Sequence, residues 1–175
     1  MVRCACIDIG SNTTRLLVAD ATPGSIEAVA TERAFLPLTG IESGGELAHR
    51  RLGTLLEVVA RFAASARDLG APQSATTSIA TQALRSLSAP EAAAIVSDLE
   101  SASGTPVELL SPEREAQLAF AGATIGLDER AGPVGVIAIG PMARGLVAVP
   151  LGAGAGLVVA GFGVDQACPQ DSSQD

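Results

Sequence analysis

The sequence has almost no aromatic residues and no lysine. Its 175 residues include four Phe but neither Tyr nor Trp, so it lacks the aromatic platform on which proteins usually stack single-stranded nucleic acid. All eleven basic residues are Arg and the net charge is −8, which disfavours non-specific attraction to nucleic acid or to anionic membranes. We therefore expect a core of Ala, Val, Leu and Ile, and no nucleic-acid or membrane partner.

Cysteine and histidine are too few for a disulfide framework or a zinc site. Cys4 and Cys6 lie two residues apart on one apolar run, far from the third cysteine, Cys168. This pattern predicts buried, reduced thiols in a cytoplasmic protein. The single histidine, His49, has no Cys or His at ligand spacing, which favours a surface position.

The sequence also lacks an apolar run that is long enough to span a membrane and free of glycine and proline. Residues 145–163 carry no charge, but they contain six Gly and Pro150. Glycine and proline at this density predict short strands separated by turns, not a membrane-spanning helix. The apolar run at the N-terminus contains Asp8, which is atypical of a signal peptide.

Apolar periodicity predicts an α/β protein in which an antiparallel opening is followed by parallel crossovers. The resulting division is a domain at 1–130, a lobe of strands only at 131–163 and a disordered tail at 164–175. The expected strands of the first domain are 2–9, 14–20, 75–80 and 106–110, with a further, irregular strand within 26–38. Its expected helices are 48–69, 81–87, 88–103 and 112–127.

The segment from Asp8 to Thr13 is a strand end followed by small polar residues. A carboxylate at the end of a buried strand suits Asp8 to face Mg²⁺ or a water molecule. Gly10 lets the backbone approach a ligand closely, and the amides and hydroxyls of Ser11, Asn12 and Thr13 can donate to phosphate oxygens. An ordinary hairpin turn with solvated side chains remains an alternative.

The string Asp8-Ile9-Gly10-Ser11-Asn12, followed by Arg15-Leu16-Leu17-Val18, resembles the first phosphate motif of the Ppx/GppA family. Members of that family are exopolyphosphatases and guanosine pentaphosphate phosphohydrolases with the actin, Hsp70 and sugar-kinase type of fold. The resemblance implies a ribonuclease-H-like domain, a mixed sheet with flanking helices, plus a partial second lobe. It also implies Mg²⁺ as cofactor, with Asp8 binding the metal through water and residues 10–13 binding phosphate.

Two further segments resemble the family. The segment from Thr77 to Arg85 ends in Ala-Leu-Arg, which implies that Arg85 holds a terminal phosphate. The segment from Ser111 to Ala116 resembles the family's Ser-Gly-Glu-Glu-Glu-Ala, and Glu115 stands where the family has the base that activates water. From the residues alone, a surface arginine and a carboxylate that stabilises the start of a helix remain alternatives.

The second phosphate motif departs from the family. Residues 138–145 read Ala-Ile-Gly-Pro-Met-Ala-Arg-Gly, where the family has Asp-Ile-Gly-Gly-Gly-Ser-Thr-Glu. Two acids are missing, and Pro141 removes a donor amide. Because losing one preorganised donor typically costs about 10²–10³ in rate, we expect impaired catalysis.

Two functions are therefore open at this stage. One is a hydrolase that removes the terminal phosphate of polyphosphate or guanosine pentaphosphate. The other is a non-catalytic subunit that binds phosphate, a nucleotide such as guanosine tetra- or pentaphosphate, or another protein. The apolar strands between residues 134 and 160 would be costly to leave in water. We therefore expect them to be covered, by a second copy in a homo-oligomer or by a partner protein.

Overall fold

The computed structural model describes residues 1–126 and three short strands, Gly135–Val136, Leu146–Ala148 and Val158–Ala160. The second phosphate motif at 138–145 and the tail predicted at 164–175 lie outside the described residues, as do the side chains of the three strands. The prediction that a partner covers residues 134–160 therefore stays a prediction.

A mixed five-stranded sheet forms the centre of the described part. Its strand order is β3-β2-β1-β4-β5, with β1, β2 and β3 antiparallel and β1, β4 and β5 parallel. The strands are β1 (Val2–Ile9), β2 (Thr13–Thr22), β3 (Ser25–Phe35), β4 (Thr76–Ala80) and β5 (Val107–Leu109). The helices are α1 (Gly45–Asp68), α2 (Gln82–Arg85), α3 (Ala89–Ser103) and α4 (Pro112–Thr124). This arrangement confirms the predicted antiparallel opening with parallel crossovers.

Alternation along β1 assigns its side chains to two faces of the sheet. Ala5, Ile7 and Ile9 are buried, and Leu16 of β2 is paired with Ile7 on the same face. The apolar stripe of α1 packs there, because its residues recur at three and four positions. The fully buried members of this stripe are Leu55, Val59, Phe62 and Ala66. The intervening residues of β1, Asp8 among them, lie on the other face.

Local signals set the ends of the helices. Gly70, with φ 85°, follows α1, and Gly104, with φ 71°, follows α3. The start of α3 is capped because the Ser88 amide donates to the Glu91 carboxylate at 3.1 Å, as a capping box requires. The fourth helix begins just after β5 and ends near the β2–β3 turn, where a Cβ on Gly126 would lie 3.4 Å from the Gly24 carbonyl oxygen. It therefore runs the length of the sheet.

Differences from the predicted elements are small. The third strand, Ser25–Phe35, begins one residue before the expected range 26–38 and ends within it, and its expected irregularity is a register shift opposite Val18 and Ala19. Ile41–Ser43 forms a 3-10 turn, and α1 begins at Gly45, three residues before the predicted residue 48. Three antiparallel strands, β6 (Gly135–Val136), β7 (Leu146–Ala148) and β8 (Val158–Ala160), match the strands expected after residue 131.

Within residues 1–126 no helix is both long and apolar enough to cross a membrane. Cys4 and Cys6 are free thiols, and they are half-buried where full burial was predicted. Burial raises the pKa of the Cys6 thiol to about 11, with smaller contributions from the charges of Asp8 and Cys4.

Candidate functional site

The turn between β1 and β2 follows the end of β1, and two of its backbone amides have no acceptor among residues 1–126. The Gly10 amide donates to the Thr13 carbonyl at 3.1 Å, which closes the turn. The Ser11 and Asn12 carbonyls accept from the Leu38 and Leu36 amides, at 2.7 and 2.9 Å. No residue in 1–126 accepts a hydrogen bond from the Ser11 or Asn12 amide, or contacts their side chains through one. The turn is thus fixed by the Gly10 amide and by the Ser11 and Asn12 carbonyls, and the Ser11 and Asn12 amides have no acceptor within residues 1–126, as an anion site requires.

Asp8 lies on the sheet face opposite α1, at the carboxyl end of β1. In the strand register it lies opposite Arg15 on β2 and Ile79 on β4. Burial raises the pKa of the Asp8 carboxyl, the positive charge of Arg15 opposes that rise, and the negative charge of Glu115 adds to it. The charge of Glu115 therefore acts on Asp8, although 107 sequence positions separate the two residues.

Arg85 and Glu115 form an ion pair. Nη1 of Arg85 lies 2.8 Å from Oε2 of Glu115 and donates to the Leu110 carbonyl at 2.7 Å, while Nη2 donates to Oε1 of Gln82 at 3.0 Å. The Arg85 side chain is 17% exposed and that of Glu115 is 44% exposed. The arginine is thus held in place, and the carboxylate faces solvent.

The start of α4 explains why Glu115 is free to pair with Arg85. The Ser111 hydroxyl caps the helix by accepting from the Arg114 amide at 3.2 Å, and Pro112 occupies the first helical position, as expected. Backbone and Ser111 hydrogen bonds lower the pKa of the neighbouring Glu113. Glu113 therefore stabilises the helix N-terminus. Glu115, which could have done the same, pairs with Arg85 instead.

The parallel strands bring these groups to one edge of the sheet. Ile9 of β1 is paired with Ala80 of β4, and Ala80 with Leu109 of β5, so the residues that follow each strand emerge together. Of the predicted site residues, Arg85 and Glu115 are in contact, the charge of Glu115 acts on Asp8, and residues 10–13 form the turn that follows β1.

Two neighbours were missed by the sequence analysis. Arg15 lies opposite Asp8, and the short turn that sets the hairpin register could have revealed it. Gln82 bonds Arg85, and its spacing of three residues on a helix was the available signal.

Among residues 1–126, the carboxylates near Asp8 are too few to bind a magnesium ion by themselves, so phosphate oxygens of a bound ligand would have to complete the coordination. Within the described ranges no group of three or more His, Cys, Asp or Glu could hold a metal. However, the Asp8 carboxylate accepts no hydrogen bond from residues 1–126 and lies in the field of a second carboxylate. Magnesium is often bound by one or two carboxylates, waters and phosphate oxygens, so Asp8 fits such a site once a phosphate is present.

Comparison with known proteins supports the fold. The Ppx/GppA phosphatase family profile matches residues 17–141. An uncharacterised protein of Streptomyces coelicolor is 31% identical over 140 residues, which are 79% of this chain and 40% of that protein. The solved structure of the Aquifex aeolicus Ppx/GppA enzyme aligns with 93% of this chain and 53% of its own, with a TM-score of 0.76 and 23% identity.

A solved exopolyphosphatase from Cytophaga hutchinsonii is also similar. It aligns with 85% of this chain and 46% of its own, with a TM-score of 0.67 and 20% identity. The chain thus spans about half the length of these solved structures. The predicted ribonuclease-H-like α/β domain is confirmed by these likenesses. Because the family profile covers most of its length, the chain belongs to the Ppx/GppA phosphatase family.

Proposed function

We propose that the protein binds the terminal phosphoanhydride of polyphosphate or guanosine pentaphosphate beside Asp8, Arg85 and Glu115, and hydrolyses it slowly. The observation that carries this proposal is the Arg85–Glu115 ion pair, at 2.8 Å, at the edge of the sheet where β1 ends. An anion-binding group and a carboxylate base are adjacent there, as phosphoryl transfer to water requires.

The hydrogen-bond pattern of Arg85 supports phosphate binding. Three of the five N–H groups of a guanidinium are used by the Leu110 carbonyl, Glu115 and Gln82. Two donors remain, which is what one bidentate contact with a phosphate requires. The amides of Ser11 and Asn12 would contact the same phosphate chain from the β1–β2 turn.

The geometry of Glu115 supports a role as base. Its Oε2 atom is held by Arg85, whereas its Oε1 atom accepts no hydrogen bond from residues 1–126. Oε1 can therefore take a proton from a water molecule while Oε2 keeps the carboxylate oriented. Glu113, whose carboxyl is bonded at its own helix end, is not suited to this role.

Asp8 would hold Mg²⁺ through water, together with phosphate oxygens. The metal, when bound, would neutralise charge on the phosphate groups. Asp8 itself is fixed by β1, and although burial raises its pKa, the positive charge of Arg15 opposes that rise.

Slow hydrolysis is proposed from the composition of the second motif. Residues 138–145 contain no acid and only two glycines, Gly140 and Gly145, so they offer no carboxylate to a metal. A non-catalytic phosphate-binding protein is the second candidate, and the same composition favours it.

Two measurements on the full chain with Mg²⁺ test the proposal: calorimetric binding of tripolyphosphate, and phosphate release from polyphosphate. We expect binding that Arg85→Ala weakens by about tenfold or more, with slow release. Arg67→Ala is the matched control, because Arg67 is exposed on α1 and its loss removes the same charge. Binding without release favours the second candidate. Binding that does not change in Arg85→Ala contradicts both.

A covering partner for residues 134–160 and a cytoplasmic location stay predictions. Light scattering on the purified chain tests the first, because a homo-oligomer would give a multiple of 17.5 kDa.

A further inference from the structure

The three acceptors around Arg85 do not play the same part. The Leu110 carbonyl and Glu115 both bond Nη1, at 2.7 and 2.8 Å. These two contacts hold one end of the guanidinium. Gln82 bonds the other terminal nitrogen, Nη2, at 3.0 Å, and this third contact holds the other end, so that the three together keep the group in one plane and one orientation.

The plane of the guanidinium matters because its remaining donors point within it. Bidentate recognition of phosphate depends on the direction of two N–H groups as well as on charge. Gln82 fixes that direction with a neutral acceptor. A carboxylate at the same place would add a negative charge beside an incoming anion.

We propose that Gln82 is a positioning residue for phosphate capture, which it serves by holding the plane of the Arg85 guanidinium. This inference rests on the proposed function, because it concerns the same phosphate site. The backbone of Gln82 belongs to α2, where its carbonyl accepts from the Ser86 amide at 3.2 Å. A side-chain substitution leaves that bond in place, so the variant is expected to fold.

The test is a double-mutant cycle on the full chain, with tripolyphosphate and Mg²⁺ as the calorimetric probe. We expect Gln82→Leu to weaken binding about tenfold, because a guanidinium that is no longer held must be ordered when the ligand binds. In the Arg85→Lys background, where no guanidinium remains to be held, the same change should weaken binding by less than about twofold. Gln73→Leu is the matched control, because Gln73 bonds the Gly104 carbonyl away from the site, and it should bind like the parent.

Each other outcome overturns the inference. If Gln82→Leu has no effect while Arg85→Lys weakens binding, Gln82 does not position the arginine, and the proposed function stands. If Gln82→Leu weakens binding equally in both backgrounds, or does so only with a lowered thermal midpoint, its role is direct or structural. If Arg85→Lys leaves binding unchanged, the proposed function fails, and the inference fails with it.

Discussion

The amide of Gly10 donates to the carbonyl oxygen of Thr13 at 3.1 Å, and a Cβ built on Gly10 would lie 3.0 Å from that same oxygen. This distance is shorter than nine in ten Cβ contacts in proteins. The turn therefore closes so tightly that a side chain at residue 10 would displace the Thr13 carbonyl by a few tenths of an ångström.

Replacing Gly10 by alanine should open the β1–β2 turn. We expect Gly10→Ala to lower the free energy of unfolding by about 1–3 kcal/mol and to weaken tripolyphosphate binding, as measured by urea titration and calorimetry. Gly53→Ala is the control, because Gly53 lies inside α1 with nothing within 4 Å of its Cβ position. It should raise the free energy of unfolding by about 0.5–1 kcal/mol. Equal effects at the two positions would contradict the tight turn.

Replacing Glu115 by glutamine should abolish catalysis while keeping the shape of the side chain. We expect Glu115→Gln to reduce phosphate release from polyphosphate by about 10²-fold or more, because an amide cannot act as a base. Glu113→Gln, two residues earlier in the same turn of α4, should leave release within about twofold of the parent. A similar loss of phosphate release in both variants would mean that negative charge near the start of α4 is what matters, and that Glu115 is not a base.

The buried hydroxyl of Thr14 has no partner among residues 1–126. We expect Thr14→Val, which removes the hydroxyl at nearly constant volume, to raise the free energy of unfolding by about 1 kcal/mol. Thr76→Val is the matched control, because the Thr76 hydroxyl is buried and donates to the Pro72 carbonyl at 3.0 Å. That variant should lose about 1 kcal/mol. Destabilisation of the same size in Thr14→Val, by urea titration, would mean that its hydroxyl is paired.

The ion pair between Arg3 and Asp20 should make stability depend on pH. Nε and Nη2 of Arg3 donate to the two Asp20 oxygens at 2.7 and 2.9 Å, and these bonds lower the pKa of the carboxyl. Because the pKa is lower in the folded state, the ion pair stabilises the fold at pH values above the unfolded-state pKa of about 3.9. That stabilisation is lost as the pH falls through the folded-state pKa.

The thermal midpoint of Asp20→Asn should therefore lie below that of the parent at pH 7, and the difference should shrink below about pH 4. Asp98→Asn is the control, because Asp98 is exposed on α3 and forms no ion pair with residues 1–126. Its thermal midpoint at pH 7 should lie close to that of the parent. A constant gap for Asp20→Asn would show that the pair does not contribute through its charge.

Most of the fold could be predicted because the signals are local. Alternating burial along β1, the apolar stripe of α1 and the glycines after α1 and α3 each depend on a few neighbouring residues. Errors arose at element ends, such as the end of β2 at Thr22, two residues beyond the predicted end. There, pairing with β3 decides the limit, and local sequence does not.

The candidate site residues can be read from local sequence: an acid at the end of β1, a tight turn of small residues, an arginine after β4 and two acids at the start of α4. That Glu115 pairs with Arg85 while Glu113 stabilises its own helix is visible only in the folded chain. Both acids satisfy the same local rule for a helix N-terminus. The choice between them depends on where β5 carries α4 relative to α2, and that position is set by packing between segments distant in the sequence.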